Sequence, residues 1–154
     1  MGATIDVQEL ISKLQRHKYV CAVGETVVGP LKTAPKIEPD IENKDLTLYE
    51  TGSEIQASIL SKYNLKLTLE LNDFDGGMTK LNKFKKGDNI LAEDNAEVIT
   101  LTPIGEGDGK TITFPRAFLQ PDGNPTLEDE DDPNSVTLNY ICRPDENGKP
   151  FTYA

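Results

Sequence analysis

Tryptophan is absent from this chain, histidine occurs once, as His17, and cysteine only twice, as Cys21 and Cys142. One imidazole cannot supply a zinc triad, and no serine or cysteine has an evident base to activate it. The two thiols sit in apolar, strand-like surroundings with no neighbouring His or second Cys, so they read as buried and inert rather than as metal ligands or a redox pair. A single disulfide between them stays open. Carboxylates alone can run a glycosidase, but a chain without tryptophan offers little for a sugar cleft. No enzyme activity, catalytic residue, metal or cofactor is expected.

Bases are also scarce: 16 Lys and Arg stand against 26 Asp and Glu, a net charge of -10. An outer surface that grips nucleic acid needs clustered Lys and Arg, and an anionic membrane makes the same demand. No apolar run approaches the roughly 18 residues of a spanning helix, and the N-terminus lacks the basic-then-apolar layout of a secretory signal. A protein made and used in water, in a cytoplasm, is expected. The 154 residues suit one domain with a core that needs no staples. With 12 Gly and 10 Pro, short elements and many turns are expected.

Along the chain, Val7, Leu10, Ile11 and Leu14 fall at helical spacing over residues 4–17, with Thr4 placed to cap and Asp6 and Glu9 near the positive end of the dipole. His17 sits at the opposite end among Lys13, Arg16 and Lys18. Residues 19–23 read as a strand closed by Gly24, and 26–28 continue it after a turn. Residues 29–45 contain Pro30, Pro35 and Pro39 and only Leu31, Ile37 and Ile41 as scattered apolar contacts. Three prolines remove three backbone donors, so a central strand is not expected there. A projecting loop is expected instead, and a loop of that length in a compact domain usually contacts something else.

Residues 46–50 and 54–60 read as strands, the latter with Ile55, Ala57 and Ile59 on one side. Over 63–71 the alternation is clearest: Tyr63, Leu65, Leu67, Leu69 and Leu71 face one way, and Asn64, Lys66, Thr68 and Glu70 the other. That implies a sheet with one dry and one wet face. Met78, Leu81 and Phe84 suggest a short helix ending at Gly87, carrying the basic patch of Lys80, Lys83, Lys85 and Lys86. Residues 89–92 and 97–102 read as strands, 105–109 as a hairpin tip and 110–114 as its return. After Thr113-Phe114-Pro115-Arg116-Ala117 comes an acidic loop over 121–134, then the alternating Val136, Leu138, Tyr140 and Cys142, and an aromatic end at Phe151 and Tyr153. The sum is mainly β: an antiparallel sandwich or barrel of about eight strands, a flanking helix and a short second helix.

Three patterns invite a site. Gly109-Lys110-Thr111 resembles the end of a phosphate loop, but position 104 is Ile where glycine is required, and a strand comes next where a helix is needed. Asp73-Phe74-Asp75-Gly76 resembles the start of a calcium loop, yet the twelfth position is Phe84 rather than a bidentate Glu, so a turn leading into a helix accounts for it better. Glu128, Asp129, Glu130, Asp131 and Asp132, with Asp122 upstream, gather six carboxylates. Hard cations favour such oxygens, while self-repulsion more often makes such a run a solvated loop. Lining a channel is the third option for it.

In layout the chain resembles the tail-tube, or major tail, proteins of long-tailed bacteriophages. The resemblance runs through the early helix and strand, the Pro-rich segment 29–45, Tyr49-Glu50-Thr51-Gly52, the long strand 63–71, the short helix near 78–86, and the ending from Phe114-Pro115-Arg116-Ala117 to Arg143-Pro144-Asp145. It covers most of the chain. It implies a virion structural protein, assembled in the host cytoplasm, whose copies form hexameric rings stacked into a tail tube. DNA and a tape-measure protein would occupy the lumen without sequence-specific binding. The arm that reaches the next ring would map to 29–45, with Leu31, Ile37 and Ile41 as contacts, and the helix at 4–17 would pack against the barrel. Alternatives are a capsid decoration protein, a tail-completion protein forming a single ring, or a small β-sandwich that binds a ligand, with calcium at residues 128–132.

Overall fold

The computed structural model describes residues 4, 6–12, 18–52, 54–104, 109–128 and 131–154. Among the described residues, eight strands join in one antiparallel sheet: β1 (Lys18–Val23), β2 (Thr26–Val27), β3 (Lys36–Thr47), β4 (Ile55–Leu71), β5 (Glu97–Ile104), β6 (Ile112–Thr126), β7 (Ser135–Cys142) and β8 (Thr152–Tyr153). Their spatial order is β2-β1-β5-β6-β7-β4-β3, with β8 paired to β6. The mainly-β, antiparallel class expected from the alternation is what forms.

One face of the sheet is dry. Opposite residues of an antiparallel pair share a face, so the pairs Leu65–Cys142, Leu67–Tyr140, Leu69–Leu138 and Leu71–Val136 place both side chains of each pair on it. Cys21 and Val23 of β1, Ile99 and Leu101 of β5, and Phe114 and Leu119 of β6 join the same buried cluster. Neighbouring strands lie about 4.8 Å apart, so a flat sheet would hold β1 far from β4. The shared core requires it to curl. Fully burying one such aliphatic or aromatic side chain contributes about 1.5–3 kcal/mol, and this face is the main source of stability.

Helix α2 (Phe74–Leu81) covers part of that face by packing on β6 and β7. Its start is specified locally: the Asp73 carboxylate accepts from the Gly76 amide at 3.2 Å. Its approach depends on Gly77, where an added Cβ would lie 2.7 Å from Val136 Cβ. Helix α1 covers Val7–Ser12 among the described residues, and its cap is Asp6, which accepts from the amides of Gln8 and Glu9, rather than Thr4. Val7, Leu10 and Ile11 are exposed, so the helix that flanks the sheet is α2. Leu14 and His17 lie outside the described residues.

Four expectations differ. Residues 29–45 are not a loop throughout: 36–47 form β3, and the sheet admits Pro39 because β3 is an edge strand, whose outward side needs no donor. Residues 89–92 form no strand but a turn, closed by an Asn95 side-chain bond to the Asn89 carbonyl. The stretch 121–126, expected in the acidic loop, extends β6, with an irregularity between Gln120 and Asn124 that absorbs Pro121 and Gly123. The short second helix begins at Phe74 and ends at Leu81, ahead of Phe84.

Candidate assembly surface

β4 is 17 residues long, but only Leu65 to Leu71 pair with β7. The ten residues before Leu65 pair with β3 alone, so β3 and β4 leave the sheet as a two-stranded arm, on the order of 33 Å at the strand rise per residue. The arm ends in a single turn of tight helix at Tyr49–Thr51, closed by Gly52 at φ 69, a left-handed conformation that favours glycine. Local bonds stiffen it. Ser58 Oγ donates to Asp45 Oδ1 at 2.8 Å, Ser61 Oγ donates to the Glu42 carbonyl at 3.0 Å, and Lys62 pairs with Asp40 at 3.2 Å.

The arm is apolar on both faces. Ile37, Pro39 and Ile41 stand opposite Leu67, Leu65 and Tyr63 and extend the dry face outwards. Between Glu42 and Asn43 the register shifts by one residue in β4, which exchanges the faces of the residues nearer the tip. Leu60 therefore takes the dry side while Ile59 and Ala57 join Leu46 on the other, and a second shift beside Thr47 returns Ile55 to the dry side. The expectation that Ile55, Ala57 and Ile59 share one side fails because of these bulges. Ile41, Leu46, Leu48, Ile55, Ile59 and Leu60 are all exposed, and Tyr49 is 97% exposed.

Leu31, expected on the projecting segment with Ile37 and Ile41, bridges to Leu71 and packs against the subunit's own core. Residues 30–33 are tied to the same strand end: the Lys32 amide donates to the Glu70 carbonyl, and the Asn72 amide to that of Pro30. Ile37 and Ile41 stand at the root of the arm. The residues that sequence reasoning left without a role are Leu46, Leu48, Tyr49, Ile59 and Leu60. For Ile59 and Leu60 the signal was the alternation of 54–60, which runs on into 63–71 as one strand.

In the acidic run, Glu128 lies 3.7 Å from Lys32, and its amide donates to Asn134 Oδ1. Asp131 and Asp132 are exposed, whereas Asp129 and Glu130 lie outside the described residues. Among the described residues no three His, Cys, Asp or Glu side chains converge as a metal site. Asp73 is a helix cap, and Thr111 exchanges backbone hydrogen bonds with Ala154 as a strand would. Neither belongs to an ion or phosphate loop.

Cys21 and Cys142 are free and buried. Burial pushes the Cys21 thiol up to about 11, against a smaller opposing pull from Lys80, and the Cys142 thiol up to about 12. The Tyr140 hydroxyl is raised as well, first by burial and then by Glu97, which faces the core opposite Ala117. These groups are protonated core residues at neutral pH. On the outer face Arg116 lies over the Phe118 ring, donates to the Pro144 carbonyl at 2.8 Å and pairs with Glu93, which anchors the C-terminal turn.

No protein-family description and no curated protein matches the chain. Solved structures do. A chain of the sheath–tube complex of PVC, an extracellular contractile injection system, in its extended state is similar with a TM-score of 0.61 and 12% identity, over 99% of both chains. A chain of the PVC sheath/tube terminator is similar at 0.60 and 12%, over 92% of this chain and 96% of that one. A chain of the anti-feeding prophage cap, a tube-terminating cap, is similar at 0.58 and 12%, over 100% and 94%. At this identity the likeness is one of fold: the chain folds, nearly end to end, like these chains of a contractile injection system and of the anti-feeding prophage cap.

Proposed function

We propose that this protein is a structural subunit of a phage-tail-like particle, and that its copies form rings stacked into a tube. The observation that carries this reading is the β3–β4 arm, a stiff hairpin with exposed apolar side chains on both faces. Leaving such a surface in water is unfavourable, and covering it by neighbouring copies recovers that free energy. Likeness over 99% of both chains to a component of a sheath–tube complex supports the same reading. Self-association, rather than catalysis, is then the activity.

The rings are hexameric in this account, and the lumen holds a tape-measure protein and DNA or another cargo. A net charge of -10 suits such a conduit, because negative walls repel phosphate and keep the polymer from sticking. The particle is a virion tail or a related injection device, assembled in the host cytoplasm. A second reading, a terminator that closes the tube as a single ring, is favoured by the likeness to the PVC terminator and the anti-feeding prophage cap.

Negative-stain microscopy of the concentrated protein tests both. Stacked rings growing into tubes are expected for the tube subunit, and isolated rings that refuse a second layer for the terminator. A protein that stays monomeric at high concentration contradicts both.

A further inference from the structure

We propose that a polar pocket on the wet face of the sheet binds a small zwitterion of the kind of an α-amino acid, a role independent of whether copies of the chain assemble. The pocket has a volume of about 360 Å³, at the small end of ligand sites. Thr68 of β4, Asn139 of β7 and Gln120 of β6 are partners across three adjacent strands and form its floor. Glu38, Lys66 and Asp122 are exposed around that floor and form the rim.

The irregularity in β6 builds the pocket. Gln120 lies opposite Asn139 and Asn124 opposite Thr137, so β6 has two residues more than β7 between those pairs, and the extra chain brings Asp122 beside Asn139. The Asn139 amide is committed on both sides: its Oδ1 accepts from Thr68 Oγ1 at 3.2 Å, and its Nδ2 donates to Asp122 Oδ1 at 3.3 Å. Asp122 is thereby held in place with one oxygen still to offer.

The other polar groups are unmatched. Gln120 Nε2 is buried and donates to nothing among the described residues, and an unpaired buried donor is costly to keep. Glu38 and Lys66 stand opposite one another on β3 and β4, yet neither enters an ion pair among the described residues.

These groups select the ligand. Lys66 and Gln120 are two strand spacings apart, roughly 10 Å, a span that a bound carboxylate and the lysine stem can bridge. Such a carboxylate would accept a bond from each of them, charge-assisted from Lys66. An ammonium on the same molecule would donate to Asp122 or Glu38. A simple anion meets the two rim carboxylates, and a simple amine leaves Lys66 and Gln120 unanswered, so a molecule with both charges is favoured over either.

Equilibrium dialysis of the full chain against radiolabelled alanine tests the assignment. Saturable binding of one alanine per chain is expected, displaced by unlabelled alanine but not by equal concentrations of propionate or ethylamine, each of which lacks one of its charges. Gln120→Leu and Lys66→Met should each weaken binding about tenfold or more, whereas Lys149→Met, exposed on the C-terminal turn, should leave it unchanged. No saturable binding, displacement by propionate or ethylamine as effective as by alanine, or undiminished binding to Lys66→Met overturns the proposal. Thermal unfolding checks that Gln120→Leu is folded; if it is not, Lys66→Met decides alone.

Discussion

Residues 65–71 and 55–61 are two stretches of one strand, both built on alternating aliphatic side chains, and they end in opposite environments. Leu67 and Leu69 are fully buried, both paired to β7 and Leu67 also to β3, while Ile55, Ile59 and Leu60 are about half exposed on the arm. Both stretches are extended strand, and the number of paired neighbours differs. Alternation thus marks a surface that needs covering without saying what covers it. In the first stretch the subunit provides the cover; in the second, if the protein is a tube subunit, other copies do.

Substitutions in the two stretches should separate stability from assembly. Leu67→Ala leaves a cavity in a closed core and is expected to cost about 2–5 kcal/mol in urea unfolding. Ile59→Ala, at an exposed site, should change the stability of the isolated subunit by less than about 0.5 kcal/mol. Comparable losses at the two sites would mean that the arm is part of the folding core. Next in size, Gly123→Ala would set a Cβ 2.1 Å from the Thr137 carbonyl oxygen and 2.9 Å from Leu81, where β6 bends beneath α2. The backbone must shift to relieve it, at a cost of about 1–3 kcal/mol, read as a lowered denaturant midpoint.

A further expected effect is a dependence on alkaline pH that belongs to the core. Cys21 and Cys142 hold their protons in the fold well past the pH at which an unfolded chain releases them, so stability is full below pH 9.0 and falls as pH climbs towards about 11 and 12. Tyr140 acts in the same direction. A Tm that declines from pH 9 upwards, with the decline reduced in Cys142→Ala relative to its own value at neutral pH, is the expected outcome. A flat profile would place the thiols in water.

Much of the core was legible because period-two alternation is a local property: Leu65 to Leu71 and Val136 to Cys142 both announce a buried face. The turn at Asp73 that leads into a helix was legible for the same reason, being set by its nearest neighbours. What escaped was long-range. Nothing near Ile37 or Ile41 says that β4 lies alongside, and Pro39 argues against a strand until the strand is known to be an edge. The bulges that divide Ile55 from Ile59 arise from pairing across the hairpin, not from the order of residues within either strand. Leu31 illustrates the converse, since proximity in sequence to β3 did not make it part of the arm: backbone bonds to the end of β4 hold that stretch on the subunit's own core.

The central claim is that the arm is a surface meant for other copies, and sedimentation velocity on concentrated wild-type protein beside the Ile41→Glu, Ile59→Glu double variant tests it most directly. Each substitution places a charge on a different face of the arm while sparing the buried core. The account predicts large assemblies for the wild type, and single subunits with a nearly unchanged Tm for the variant. Wild-type protein that sediments as a monomer, or a variant that assembles as readily as the wild type, would contradict it.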